Sequence, residues 1–194
     1  LDEAIAVLRQ GIQNFPNPAL YKALSQALQK QENGLDDAIA LLRQGIQNFP
    51  NPDLYKALSQ ALQKQENGLD EAIAVLRQGI QNFPNPALYK ALSQALQKQE
   101  NGLDDAIALL RQGIQNFPNP DLYKALSQAL QKQENGLDEA IAVLRQGIQN
   151  FPNPALYKAL SQALQKQENG LDDAIALLRQ GIQNFPNPDL YKAL

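Results

Sequence analysis

The first 34 residues, LDEAIAVLRQGIQNFPNPALYKALSQALQKQENG, return in register from Leu35, Leu69, Leu103, Leu137 and Leu171, the last copy running to Leu194. A period of this length is one supersecondary unit stacked on the next, and it restricts the chain to a repeat architecture before any local motif is weighed. Only three positions vary, and they vary together. Glu3, Val7 and Ala19 become Asp37, Leu41 and Asp53, and the first set then returns at Glu71, Val75 and Ala87. The full period is therefore 68 residues, two slightly different repeats in tandem. Such a chain needs no central core, because each repeat buries its apolar side against its neighbours. Residues 1–194 are accordingly read as one repeat domain.

Spacing within a repeat places two helices. The first is expected from about Asp36 to Phe49, with Leu35, Ala38, Ile39, Leu42, Gly45, Ile46 and Phe49 on one stripe at three- and four-residue intervals. Asp36 reads as its N-cap, Asp37 as a first-turn acid, and Pro50 as its stop. The second helix opens at Asn51-Pro52, a side-chain cap followed by a proline whose missing N–H costs nothing at the first helical position. Its apolar stripe is Leu54, Tyr55, Leu58, Ala61 and Leu62. Lys64 near its end suits the helix dipole, and Asn67-Gly68 supplies a left-handed exit. Both flanks of that pair have helical spacing, which excludes a β-hairpin. Pro16 and Pro84 repeat the stop at Pro50, and Tyr21 and Tyr89 repeat the apolar Tyr55.

Six glycines stand inside the first type of helix: Gly11, Gly45, Gly79, Gly113, Gly147 and Gly181. Each costs about 1 kcal/mol relative to alanine, so their place on the apolar stripe implies that a neighbouring helix passes too close for a side chain. Ser25, Ser59, Ser93, Ser127 and Ser161 are small residues at similar places in the other helix.

Much chemistry is excluded by composition. Cysteine and histidine are absent, which removes disulfides, thiolate nucleophiles and the commonest metal ligands. The paired acids Asp2-Glu3 and Asp36-Asp37 are helix-start residues that do not face each other, so no metal is expected. The serines lack a histidine to activate them, and no glycine-rich phosphate loop follows a strand, so neither enzymatic activity nor a cofactor is expected. No apolar run exceeds five residues, and no signal-like segment opens the sequence; a soluble chain follows, compatible with the cytoplasm, without membrane contact. The formal charge of -3 arises because basic and acidic side chains balance in each repeat apart from Asp53, Asp121 and Asp189. That balance gives no electrostatic pull toward nucleic acid, although the recurring Arg9 and Arg43 form a ladder on one helix type.

The repeat resembles a tetratricopeptide repeat. Tyr21, Leu24-Ser25 and Leu28 match the aromatic, leucine-small and apolar positions of that family's first helix. Ala38, Leu42, Gly45 and Pro50 match its second, as do the Asp2-Glu3-Ala4 and Asp36-Asp37-Ala38 starts. Tyrosine stands for the favoured tryptophan, serine for the usual glycine and glycine for the usual alanine, and the turn around Asn33-Gly34 is one residue longer than the family norm. The resemblance covers the whole chain and implies an all-α fold, a right-handed αα superhelix of helix-turn-helix repeats.

It also implies a concave groove lined by the outward residues of the first family helix, where an extended peptide or a protein segment binds. The matching positions are Lys22, Gln26, Gln29 and Lys30; Asp53, Lys56, Gln60, Gln63 and Lys64; Lys90, Gln94, Gln97 and Lys98; Asp121, Lys124, Gln128, Gln131 and Lys132; and Lys158 and Gln162. Lysines and amides offer donors and acceptors suited to a peptide backbone or to carboxylates. Some relatives clamp a C-terminal carboxylate. Lys22, Lys56 and Lys90 fit that pattern, but Gln26 and Gln60 replace asparagine and Ala23, Ala57 and Ala91 replace a second cation, so a chaperone-tail clamp is not expected. Near-identity of the repeats supports a different expectation as well, a structural or engineered array whose purpose is the solenoid. The start on an unpaired helix and the stop inside its partner type suggest either head-to-tail self-association or a segment of a longer array.

Overall fold

A computed structural model describes residues 1–194 and contains twelve α-helices and no strand. They fall in two compact units, Leu1–Glu100 and Asn101–Leu194. The first holds α1 (Asp2–Asn14), α2 (Pro18–Leu28), α3 (Leu35–Asn48), α4 (Pro52–Leu62), α5 (Leu69–Asn82) and α6 (Pro86–Leu96). The second holds α7 (Leu103–Asn116), α8 (Pro120–Leu130), α9 (Leu137–Asn150), α10 (Pro154–Leu164), α11 (Leu171–Asn184) and α12 (Pro188–Ala193). Both are all-α solenoid segments of paired helices, and no helix is long and apolar enough to cross a membrane.

Packing within each unit separates two layers. In the first unit every helix packs on its chain neighbours, and α2 also packs on α4, and α4 on α6; the backbones of α1, α3 and α5 do not approach one another closely. In the second unit α8, α10 and α12 pack in the same way, while the backbones of α7, α9 and α11 stay apart. The proline-started helices therefore form a tight inner layer, and the leucine-started helices a splayed outer one. The cause is visible in the residues between them. Leu54, Leu58, Ala61 and Leu62 of α4 are buried against Ile39 and Leu42 of α3 and Ala72 of α5, so each inner helix wedges between two outer ones. In the second unit Leu156, Leu160, Ala163 and Leu164 of α10 do the same against Ile141, Leu144 and Ala174.

Local chemistry sets the helix ends, and here several expectations are corrected. The outer helix starts at Leu35, not Asp36: Gly34 is the N-cap residue, its carbonyl accepts from Ala38 N at 3.1 Å, and no side chain caps the helix. Asp36 is already in the first turn, and its carboxylate instead accepts from Gln65 Nε2 at 2.7 Å, tying the helix to the following turn. The helix ends at Asn48, because Phe49 precedes a proline and is pushed out of the helical region to φ -140°. The inner helix ends at Leu62, so Lys64 lies in the turn beyond it, where its ammonium donates to Gln29 Oε1 at 2.8 Å.

The left-handed residue of the exit is the asparagine, with φ 60° at Asn33, Asn67, Asn101 and Asn169, and not the glycine. Gly68 has φ -79°, which any residue adopts. It is small for a steric reason: a Cβ there would overlap the Leu62 carbonyl oxygen. Asn51 caps the inner helix as its position predicts, and the alternating residue two places on decides how. Where that residue is aspartate, Asn51 Oδ1 accepts from Asp53 N at 2.8 Å. Where it is alanine, Asn17 Oδ1 accepts from Leu20 N at 3.2 Å and its Nδ2 donates to the Phe15 carbonyl at 3.0 Å.

Candidate functional site

The inner layer carries the residues that the sequence singles out. Its buried side is fixed by Tyr21, Leu24, Ser25 and Leu28 in α2 and their copies. The serine hydroxyl is buried and donates to the Lys22 carbonyl at 2.8 Å, so a polar residue sits in the core with its hydrogen bond satisfied. Four tyrosine rings pack on the phenylalanine of the next repeat, among them Tyr21 on Phe49 with centroids 6.1 Å apart and Tyr157 on Phe185 at 6.2 Å. The interior glycines face these rings. A Cβ on Gly45 would lie 3.0–3.1 Å from Tyr21 Cβ, Cγ and Cδ1, and Gly79, Gly147 and Gly181 stand equally close to Tyr55, Tyr123 and Tyr157. Gly113 is buried as well, whereas Gly11 would meet only Leu20 at 3.4 Å.

With that side packed, the opposite side of the inner helices is left to the polar residues. In the second unit they line an open groove of about 580 Å³ formed by α8, α10 and α12. Lys124, Gln128, Lys158 and Gln162 stand along it, with Asp189 at one side. Asn153, Pro154, Ala155, Ala159 and Asn187 complete the wall. Sequence reasoning misses the asparagines as lining residues, since a capping role already accounts for them; their i, i+5 and i, i+9 spacing from the groove lysine and glutamine is the available signal. Asn187 spends Oδ1 on Asp189 N at 2.8 Å, which leaves its Nδ2 without a partner within the unit.

In the first unit Lys22 lies 3.8 Å from Asp53 of the next inner helix, both side chains well exposed, while Lys56 has alanine at the matching position, Ala87. An aspartate thus follows the groove lysine in alternate repeats, and at Lys22 the two form an exposed ion pair. Some of the expected residues make contacts in the turns instead. Gln29, Gln63 and Gln131 accept from Lys64, Lys98 and Lys166 at 2.7–2.8 Å in the turns beyond the inner helices. These pairs link successive turns and do not line the groove. No three carboxylate or imidazole-type side chains converge.

An array of antiparallel helix pairs, tight on one layer and splayed on the other, with polar side chains along the tight layer, is a helical-repeat scaffold. A family model described as tetratricopeptide repeat matches residues 22–87 and 90–155, and the chain belongs to that family, whose arrays serve as protein-interaction scaffolds. No curated protein matches the sequence. Among solved structures, a thermophilic tetratricopeptide protein of Thermus thermophilus, TTC0263, is similar over 90% of this chain and 95% of its own, with TM-score 0.61 and 19% identity. MamA of Desulfovibrio magneticus RS-1 is similar over 86% of this chain and 93% of its own, with TM-score 0.57 and 15% identity. At these identities the likeness is one of fold.

Proposed function

We propose that the chain holds an extended segment of a protein partner along its inner layer, with lysine ammonium groups and asparagine and glutamine amides as the contacts. The observation that carries this reading is the groove between α8, α10 and α12, where Lys124, Lys158, Gln128, Gln162 and the unpartnered Asn187 Nδ2 face one open channel. Ammonium groups offer only donors, so carboxylates and backbone carbonyls of the partner are the matching groups. The groove's chemistry repeats along the chain, which favours a partner with a regularly acidic or polar segment over one with a single distinctive residue. Alternating aspartates keep the inner layer from being uniformly basic, and this does not favour nucleic acid.

The test is a peptide-display selection against the folded chain, counter-screened against a variant with Lys22, Lys56, Lys90, Lys124 and Lys158 changed to alanine. Enrichment of carboxylate-bearing peptides that the variant does not retain supports the reading. Enrichment that survives on the variant places binding on another surface.

A second reading concerns copies of the chain. Phe15 is 76% exposed and Val7 62%, while Tyr191 is 60% exposed and Leu171 59%. At Tyr21, Tyr55, Tyr123 and Tyr157 the equivalent ring is 2–4% exposed and packs on a phenylalanine of the next repeat. Tyr191 and Phe15 expose complementary faces of that pair, and we propose that they bring two copies of the chain together head to tail. Sedimentation should then show mass rising with concentration, and Phe15→Ser with Tyr191→Ser should abolish it. A monomer throughout contradicts this second reading and leaves the first intact.

A further inference from the structure

The splayed outer layer leaves a gap between consecutive outer helices, floored by the inner helix between them. Between α1 and α3 the gap is a groove of about 410 Å³, with Arg9 on one wall, Asp37 on the other, and Leu24, Leu28 and Leu41 among its floor. Between α9 and α11 it recurs at about 400 Å³, with Arg145, Asp173 and the floor residues Leu160, Leu164 and Leu177. Between α3 and α5 the same wall positions hold Arg43 and Glu71, and between α7 and α9 they hold Arg111 and Glu139. Both of these pairs are joined as salt bridges.

The two kinds of gap differ at two wall positions, aspartate with leucine (Asp37, Leu41) in one and glutamate with valine (Glu71, Val75) in the other, and the longer acid decides the ion pair. Glutamate reaches across to the preceding arginine, and aspartate does not: Arg9 and Asp37, like Arg145 and Asp173, make no ion pair or hydrogen bond. The array therefore shows what its outer arginine accepts when a carboxylate comes within reach, and it withholds that carboxylate in alternate gaps. A guanidinium at the lip of an apolar floor matches a ligand with a carboxylate next to an apolar side chain.

We infer that the aspartate-type outer grooves are a second binding site, one that takes an acidic-apolar segment of a partner protein, its carboxylate occupying the place that Glu71 and Glu139 fill in the other gaps. The site lies on the opposite layer from the lysine groove and is independent of it.

The experiment titrates N-acetyl-L-leucine, with N-acetyl-L-leucinamide as the uncharged control, by ligand-observed NMR. Three proteins are compared: the chain; a closed variant with Asp37→Glu and Asp173→Glu, Asp105→Glu being added so that every copy of the position is glutamate; and an opened variant with Glu71→Asp and Glu139→Asp. Every substitution installs a residue that other repeats already carry there, so the fold tolerates it. The acid should bind the chain about tenfold more tightly than the amide, as one charge-assisted hydrogen-bonded contact implies. The closed variant should lose that preference, and the opened one should bind more acid per chain. Changing the five inner lysines to alanine should leave all of this unmoved. Equal binding of acid and amide, no binding of either, or a closed variant indistinguishable from the chain overturns the inference.

Discussion

Gly11→Ala and Gly45→Ala are the same substitution in nearly the same local sequence, yet only the first should stabilise. Both replace a helix-interior glycine, and both gain about 1 kcal/mol of helix propensity. They differ in what the new methyl meets. At Gly11 it would make an ordinary contact, 3.4 Å to Leu20 Cδ1. At Gly45 it would stand 3.0–3.1 Å from three atoms of Tyr21, one of which is the tyrosine Cβ and cannot swing away without its helix. Relief requires α2 and α3 to part by several tenths of an ångström, the kind of overpacking that costs about 1–3 kcal/mol. Gly11→Ala should therefore stabilise by about 1 kcal/mol, and Gly45→Ala should range from neutral to about 2 kcal/mol destabilising. Since the propensity gain is common to both, the difference between the variants isolates the contact with Tyr21. Urea unfolding followed by far-UV circular dichroism measures it, fitted with a nearest-neighbour scheme because repeat arrays need not unfold in one step. Equal shifts of the same sign in the two variants would refute the close-approach explanation of the glycines.

Other substitutions separate roles that adjacent residues share. Asn67→Gly should change stability by less than about 1 kcal/mol, since glycine adopts the left-handed conformation freely, whereas Gly68→Ala should cost more than about 2 kcal/mol because its methyl meets the Leu62 carbonyl; thermal melts that rank them the other way would contradict the assignment. Tyr55→Phe removes a hydroxyl that accepts from Asn82 Nδ2 at 3.0 Å and should cost about 1 kcal/mol, while Tyr157→Phe, where the same contact with Asn184 is 3.4 Å, should cost less in the same denaturation assay. Asp53→Ala breaks an exposed pair with Lys22 and should cost no more than about 1 kcal/mol, with the Asn51 cap moving one amide along the helix, as in the alanine-type repeats; a larger loss in the same melts would mean that the pair matters more than its exposure implies.

Much of the fold could be read from the sequence because the repeat makes every signal recur. The apolar stripe of Leu54, Tyr55, Leu58, Ala61 and Leu62 is buried as its spacing predicts, and Asn51-Pro52 begins its helix. The misread residues share a physical cause. Asp36 resembles a cap to any reading by type and position, but the tight turn before it already supplies Gly34 as the helix start, and the carboxylate is drawn instead to Gln65, 29 residues on. Asn67-Gly68 does supply the left-handed exit, through the asparagine, while the glycine answers to the nearby Leu62 carbonyl, a closeness that sequence spacing does not encode. The alternation of Glu71 with Asp37 is plain in the sequence, but its meaning lies in an arginine 28 residues earlier, brought opposite only by stacking. The inner groove is legible as a ladder of lysines and glutamines. The Gln29 and Lys64 rungs are not, because each is consumed by a contact between successive repeats.

The central claim is that the lysines of the inner layer hold a partner segment. It is tested most directly by measuring the dissociation constant of the most enriched display peptide for the chain and for the five-lysine variant, at low and at physiological salt. The account predicts binding at least about tenfold weaker to the variant, with a salt dependence that is strong for the chain and much reduced for the variant. Equal affinity for the two proteins at both salt concentrations would contradict it.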